Sequence, residues 1–238
     1  MLSSRFFREP MVCWRSTPDS DGRRDCAEQS VVQQTLDACT PENVEQRQRA
    51  LDVIFRSQRR AYRHDYEAEL QLLDLDLTGL TCGPKAERAT KGYFHYEGRY
   101  GRQMGRVVAA REGEVMIERL YPGNLQLRTT LDDLVEAMER TQELDESKRR
   151  RTVLRIDAGG GSVDAVNWLL ARGYQIHCID YSSRRAANFA PYVREWFDDP
   201  RQPDRQLGWI PVQSVGYARP VRRLMFRHRQ SNGQLKHR

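Results

Sequence analysis

QLLDLDLTGLT, residues 71–81, sets two acids and a threonine into an otherwise apolar run. Asp74, Asp76 and Thr78 alternate with Leu73, Leu75 and Leu77, and side chains on a strand alternate between faces with period two. The spacing predicts a strand with its leucines in the core and its three polar groups together on the opposite face. Two carboxylates so close repel each other unless a cation or a shared proton relieves them. The stretch therefore predicts a core strand that carries an acidic site on one side.

The residues after it predict the rest of an α/β core. TGLTCGPKAERATKG (78–92) reads as a loop, and RQMGRVVAAR (102–111) and EVMIERLYPGN (114–124) as two strands of a hairpin. Residues 112–114 form the turn between them, and Pro122-Gly123-Asn124 closes the second strand. TTLDDLVEAMERTQEL (129–144) is an amphipathic helix with Leu131, Leu134, Val135 and Met138 on one side. RTVLRIDAGGGS (151–162) is a β-branched strand that ends on Asp157 and three glycines. SVDAVNWLLARGYQIHCIDYS (162–182) supplies a helix, a stop at Gly173 and a further strand. Beyond 183 the chain reads as short β-segments joined by turns, with RRLMFRHRQ (222–230) the best strand and SNGQLKHR (231–238) half of a return strand.

Ahead of the opening strand, residues 1–25 are polar and predict a poorly ordered leader. Residues 26–68 predict helices. Val31, Val32, Thr35, Leu36 and Cys39 recur at helical spacing. A second helix begins with Thr40 as N-cap, Pro41 at the first position and Glu42 and Glu45 in the first turns. Val44, Leu51, Ile54 and Phe55 are its expected buried stripe. Such a helical pair serves either DNA contact or plain packing and dimerisation.

The chain has 238 residues, 30% charged and 39% hydrophobic. No apolar run approaches the roughly 18 residues of a spanning helix, and the N-terminus has no apolar signal core, so a cytoplasmic location without membrane is expected. The formal charge of +6 is dominated by arginine, clustered at 22–24, 56–60, 148–151, 182–187 and 219–229. Arginine suits bidentate phosphate recognition, and clusters spread along the chain point to a polyanion such as nucleic acid. The candidate DNA-binding residues are Arg149, Arg150, Arg151, Arg184, Arg185, Arg222 and Arg223. Cys13, Cys26, Cys39, Cys82 and Cys178 form no C-x-x-C pair, which argues against zinc or a disulfide framework.

Two families resemble the opening strand. LLDLDLTGL is similar to the haloacid dehalogenase-type phosphatases, an apolar strand followed by D-x-D-x-T; that likeness implies Asp74 as nucleophile, Asp76 as acid/base and Mg²⁺. That family opens its domain with this strand, whereas here about 70 residues precede it and a hairpin follows.

The wider resemblance, from about residue 28 onward, is to DDE-type transposases of bacterial insertion sequences. It rests on Asp76-Leu77-Thr78, the hairpin region with its LYPGN turn, and a later strand, VLRIDAG, that ends on a second acid. It implies an RNase H-like mixed sheet with flanking helices over 69–183, a helical N-terminal region, and a β-rich insertion over 184–238. It also implies Asp76 and Asp157, 81 positions apart, as catalytic metal ligands for two Mg²⁺ or Mn²⁺ ions. Double-stranded DNA, both terminal inverted repeats and target, is the implied partner, with self-association in the DNA complex. Asp74 is expected to support Asp76, and AGGGS (158–162) to form a tight turn beside the site.

The family's third acid follows the β-rich insertion in a Tyr-x-x-Arg-x-x-x-Glu setting, which this sequence lacks. Glu195, 38 positions past Asp157, is wrongly spaced from Tyr192 and Arg194 and reads as a decoy. The chain is therefore expected to be truncated before its third carboxylate. That leaves a transposase portion, or a DNA-binding remnant without catalysis, as the alternatives to the phosphatase.

Overall fold

Leu73 and Leu75 are buried, Asp74 is half-buried, and Asp76 and Thr78 are exposed, as the alternation from 71 to 81 predicts. They lie on β1 (Gln71–Thr81) in a computed structural model that describes residues 29–94, 97–179, 186–213, 216–230 and 233–237. The expected leader at 1–25 lies outside the described residues.

The chain divides into two units, Met1–Val53 and Ile54–Arg238. The first holds α1 (Gln29–Asp37) and the start of α2 (Pro41–Gln58). Thr40 caps α2 as expected. Its Oγ1 accepts the Asn43 N–H at 3.3 Å, while Asn43 Oδ1 accepts the Thr40 N–H at 3.0 Å, which satisfies two donors that the helix start leaves free. The expected burial of the apolar stripe fails. Val31, Val32, Leu36, Val44 and Leu51 are all exposed, as is Ile54 where α2 enters the second unit, and only Phe55 is buried. Local bonds hold these helices instead, among them Arg49 with Glu45 and Gln48 with Asp52, both at i,i+4.

The second unit contains a six-stranded mixed sheet. After β1 come β2 (Thr90–Phe94), β3 (Glu97–Ala109), β4 (Glu114–Pro122), α3 (Leu127–Gln142), α4 (Glu146–Arg150), β5 (Thr152–Ile156), α5 (Val163–Ala171) and β6 (Gln175–Cys178). The strand order is β2-β3-β1-β5-β6, with β4 beside β3. β1 is antiparallel to β3 and parallel to β5, and β5 is parallel to β6. α3 lies against β1, β3 and β4, and α5 against β6. Leu131, Leu134, Val135 and Met138 of α3 share one core with Leu73, Leu75, Val107, Ala109, Leu154, Ile156 and Leu169. Ala61 joins it, and its carbonyl accepts from the buried Gln71 Nε2 at 3.0 Å.

The segment 78–92 is not a loop throughout. β1 continues to Thr81, β2 begins at Thr90, and β3 starts at Glu97 rather than near 102. Gly92, one of the glycines that suggest a loop, serves close backbone approach instead. A Cβ on Gly92 would stand 2.2 Å from the Gly123 carbonyl oxygen, and one on Gly123 would stand 2.3 Å from the Gly101 carbonyl oxygen.

The C-terminal part forms a four-stranded antiparallel sheet. α6 (Ala186–Phe189) precedes β7 (Phe197–Asp199), β8 (Gln202–Gln213), β9 (Val221–Arg229) and β10 (Leu235–His237), in the order β10-β9-β8-β7. Val193, Ile210 and Met225 make its small core, with Phe189 and Trp196 packed on it. β9 and β10 are the strand and return strand expected there. Asn167 on α5 ties this region to the first sheet, donating to the Gly216 carbonyl and accepting from the Ala218 N–H, each at 2.8 Å.

Gly92→Ala is expected to lower stability by about 1–3 kcal/mol through overpacking. Gly98→Ala, in the same hairpin, would place its Cβ only against Lys91 Cε at 3.5 Å and should stay within about 0.5 kcal/mol of the parent. Urea unfolding of the two variants checks the contrast.

Candidate functional site

Parallel pairing of β1 with β5 runs in register from Gln71 opposite Thr152 to Leu75 opposite Ile156. Asp76 and Asp157 are the next residue on each strand. They therefore emerge side by side at the carboxyl ends of two central strands, and both are exposed. The chain turns sharply behind Asp157, whose Oδ1 accepts the Gly159 N–H at 2.8 Å and whose carbonyl accepts the Gly160 N–H at 3.2 Å. This is an Asx-turn, and it matches the tight turn expected for 158–162. Ser162 then caps α5 through the Ala165 N–H at 3.3 Å.

Asp76 Oδ1 accepts its neighbour's N–H, from Leu77, at 2.8 Å. The Asp76 carboxyl is nonetheless pushed above its ordinary range. Desolvation by packed neighbours is the largest cause, followed, against the Leu77 hydrogen bond, by the like charges of Asp157 and Asp74.

The arginines on this face do not relieve that charge. Asp74 lies opposite Arg155 on β5, and Arg155 Nε and Nη2 donate to its two carboxylate oxygens, both at 2.5 Å. Asp76 lies opposite Arg106 on β3, and Arg106 lies opposite Glu118 on β4. Arg106 Nε donates to Glu118 Oε1 at 2.5 Å. Arg106 and Arg155 thus each have their own carboxylate, and among the described residues Asp76 and Asp157 are left as an uncompensated pair. Sequence reasoning missed Arg106, Glu118 and Arg155. The period-two alternation of RQMGRVV and VLRI puts both arginines on the acid face, but the partner of each needs the register.

Two adjacent carboxylates, one of them desolvated and beside the like charge of the other, suit a hard divalent cation that keeps several waters. Among the described residues no three His, Cys, Asp or Glu side chains gather as a metal-holding group. Glu195, exposed ahead of β7, therefore joins no such group with the two acids.

The expected DNA-binding arginines that are described are not brought together. Arg149, Arg150 and Arg151 precede β5, at the end of that strand opposite Asp157. Arg149 donates to the carbonyls of Arg172 and Leu144, at 2.9 and 3.1 Å, and Arg151 to that of Tyr66 at 2.8 Å. Arg150 pairs with Glu146 at 2.5 Å. Arg184 and Arg185 lie outside the described residues. Arg222 is exposed, whereas Arg223 stacks over Phe189 at 4.5 Å. No described helix is long and apolar enough to cross a membrane.

No family model matches the sequence, and no curated protein matches it. Among solved structures, the Drosophila P element transposase strand transfer complex is similar at 11% identity and a TM-score of 0.28. The alignment covers 77% of this chain and 48% of that one, so the chain spans about half of its length.

A carboxyl whose folded-state affinity for a proton is raised favours the fold at low pH and loses that contribution as pH rises through its titration. Asp76→Asn should therefore raise the thermal midpoint at pH 7. The gain should vanish as pH falls below the carboxylate range, when Asp76 in the parent is itself protonated. Thermal melts of both proteins across pH 3–8 check this.

Proposed function

We propose that the second unit carries an RNase H-like core of the DDE transposase type, which cuts and joins DNA strands by phosphoryl transfer. The observation that carries this reading is the pair of Asp76 and Asp157 at the carboxyl ends of parallel β1 and β5, uncompensated among the described residues. The strands around them support it. With β2 set aside, the strand order β4-β3-β1-β5-β6, with β3 antiparallel to its neighbours, is the order of an RNase H-like sheet. The acids stand on the face opposite α3.

In this reading Asp76 and Asp157 hold Mg²⁺ or Mn²⁺. The bound cations supply activation of the attacking oxygen and neutralisation of the leaving one. The chain's own contribution is to fix two carboxylates by register and to keep Arg106 and Arg155 engaged elsewhere. In the first reaction the oxygen of water bonds to phosphorus at an element end, the P–O3′ bond breaks, and a 3′-hydroxyl is released. In the second, that hydroxyl oxygen attacks a target phosphodiester and a target 3′-oxygen leaves. Terminal inverted repeats, target DNA and a second copy of the chain are the partners, in the bacterial cytoplasm at the nucleoid.

Asp74 does not suit the phosphatase alternative, because a nucleophile held at both oxygens by Arg155 is not free to attack. A second reading has a specific observation behind it: among the described residues no third carboxylate joins the pair. In that reading the chain binds DNA without cutting it.

Incubation of duplex DNA carrying element ends with Mn²⁺ or Mg²⁺ separates these readings. The transposase reading expects nicking that is abolished in Asp76→Asn and in Asp157→Asn but kept in Asp74→Asn. It also expects Mn²⁺ to raise the thermal midpoint of the parent and not of Asp76→Asn, since a ligand stabilises the state that binds it. DNA binding without nicking would leave occupancy as the function. Hydrolysis of a small phosphate ester that disappears in Asp74→Asn would restore the phosphatase.

A further inference from the structure

β1 and β3 do not stop at the acids. β1 runs five residues past Asp76 to Thr81, and the first half of β3 pairs with β2 on its other side, with Lys91 opposite Tyr100 and Thr90 opposite Gly101. Together the three strands form a ribbon that extends beyond the carboxyl end of β5. Alternation assigns its faces. Thr78 and Leu80 share a face with Asp76; Leu80 lies opposite Arg102, and Thr78 opposite Met104. Two residues from Arg102 is Tyr100, and opposite Tyr100 is Lys91. Asp76, Thr78, Arg102, Tyr100 and Lys91 therefore occupy one face, in a line leading from the acids to the ribbon's tip.

The charge of the ribbon is net positive. Residues 78–104 carry five Lys and Arg against two Glu. The two glutamates pair with their near neighbours, Glu87 with Arg88 and Glu97 with Arg99. Lys91 and Arg102 have no carboxylate partner among the described residues. Lys91 is exposed. Arg102 is half-buried, and its Nε is shielded from solvent with no hydrogen-bond acceptor among the described residues. A shielded guanidinium N–H without an acceptor is costly, and an anionic oxygen relieves it well. Tyr100, 44% exposed, adds an aromatic surface between the two cations.

We infer that this ribbon is a nucleic-acid arm, on which Arg102 and Lys91 hold backbone phosphates of a strand whose reacting phosphodiester lies at Asp76 and Asp157. The inference rests on the reading of that acid pair as a strand-cutting site, and it names the surface that guides the substrate there. Arg102 stands four residues along β3 from the position opposite Asp76, about 13 Å at the rise of a strand. It is thus a positioning contact and not a participant in bond breaking. An acidic peptide could meet the same cations, but it offers no phosphodiester to the acid pair at the end of the line.

The test is binding of a fluorescently labelled DNA duplex by anisotropy, with the full chain, between about 50 and 200 mM salt. Removing the cation that holds one phosphate should reduce the slope of log K against log salt by about 0.9. Lys91→Gln and Arg102→Gln are each expected to lower the slope by about that amount and to weaken binding several-fold at 100 mM. Arg140→Gln, on α3 across the sheet, removes the same charge and should leave the slope unchanged. Lys91 is exposed, so its replacement keeps the test open if Arg102→Gln fails to fold. Parent-like slopes in both variants would overturn the arm and leave the acid site standing. Absence of binding by the unaltered chain would overturn both. An equal reduction in Arg140→Gln would reduce the effect to overall charge and overturn the arm alone.

Discussion

Five residues of parallel pairing between β1 and β5, Gln71–Leu75 against Thr152–Ile156, decide where every other part of the second unit can go. A parallel neighbour requires a crossover, here the hairpin β3–β4 followed by α3 and α4. Burial on one side alone fixes the register, since a slip by one residue would exchange Leu73 and Leu75 with Asp74 and Asp76. The same burial requires a helix on that face, and α3 supplies it with Leu131, Leu134, Val135 and Met138. The acids end up adjacent because the register sets the residue after Leu75 beside the residue after Ile156. The position of the site follows from packing on the other side of the sheet.

That arrangement is electrostatically unfavourable at one place, and the surrounding pairs show that the unfavourable place is confined. Arg155 sits close enough to neutralise one acid of the face and takes Asp74, its direct cross-strand neighbour. Arg106 sits opposite Asp76 yet is held by Glu118 on the next strand. Were Glu118 apolar, Arg106 would be free to pair with Asp76, and the fold would gain an ion pair while giving up the concentration of uncompensated negative charge at these strand ends. A sheet selected for stability alone would make that pairing. Leaving Asp76 with its neighbour Asp157, and desolvated, is the kind of local cost that functional sites carry.

Much of the fold was legible because burial has a period. The alternation of 71–78, the helical stripe of 131–138 and the run VLRI each point to one face, and each is buried there. What failed to read has physical reasons. Gly92 looks like a loop residue, but its role is to let the backbone of β2 approach residue 123; a lone sequence does not separate a glycine needed for space from one needed for a turn. The stripe Val44, Leu51 and Ile54 has the spacing of a buried face, but periodicity shows only which residues would be covered, not that anything covers them. The acids were legible as types at strand ends. Their electrostatic isolation was not, because Asp74 and Arg155 are 81 positions apart and meet only through the register.

Arginine content was the weakest guide to an anion site, and the structure explains why. Arg149, Arg151 and Arg219 donate to backbone carbonyls of Arg172, Tyr66 and Tyr174. Arg172, Arg223 and Arg227 lie over Trp168, Phe189 and Trp196 at 4.8, 4.5 and 4.2 Å, where a planar, weakly hydrated cation covers aromatic surface. Such residues add positive charge to the formula without offering it to a ligand. The informative cations are the few that the fold leaves uncommitted on a face it already uses, and among the described residues of the acid face those are Arg102 and Lys91. A count along the sequence weights all arginines alike. Partner by partner, the uncommitted charge lies less in the cluster at 148–151 than on the ribbon that leads to Asp76.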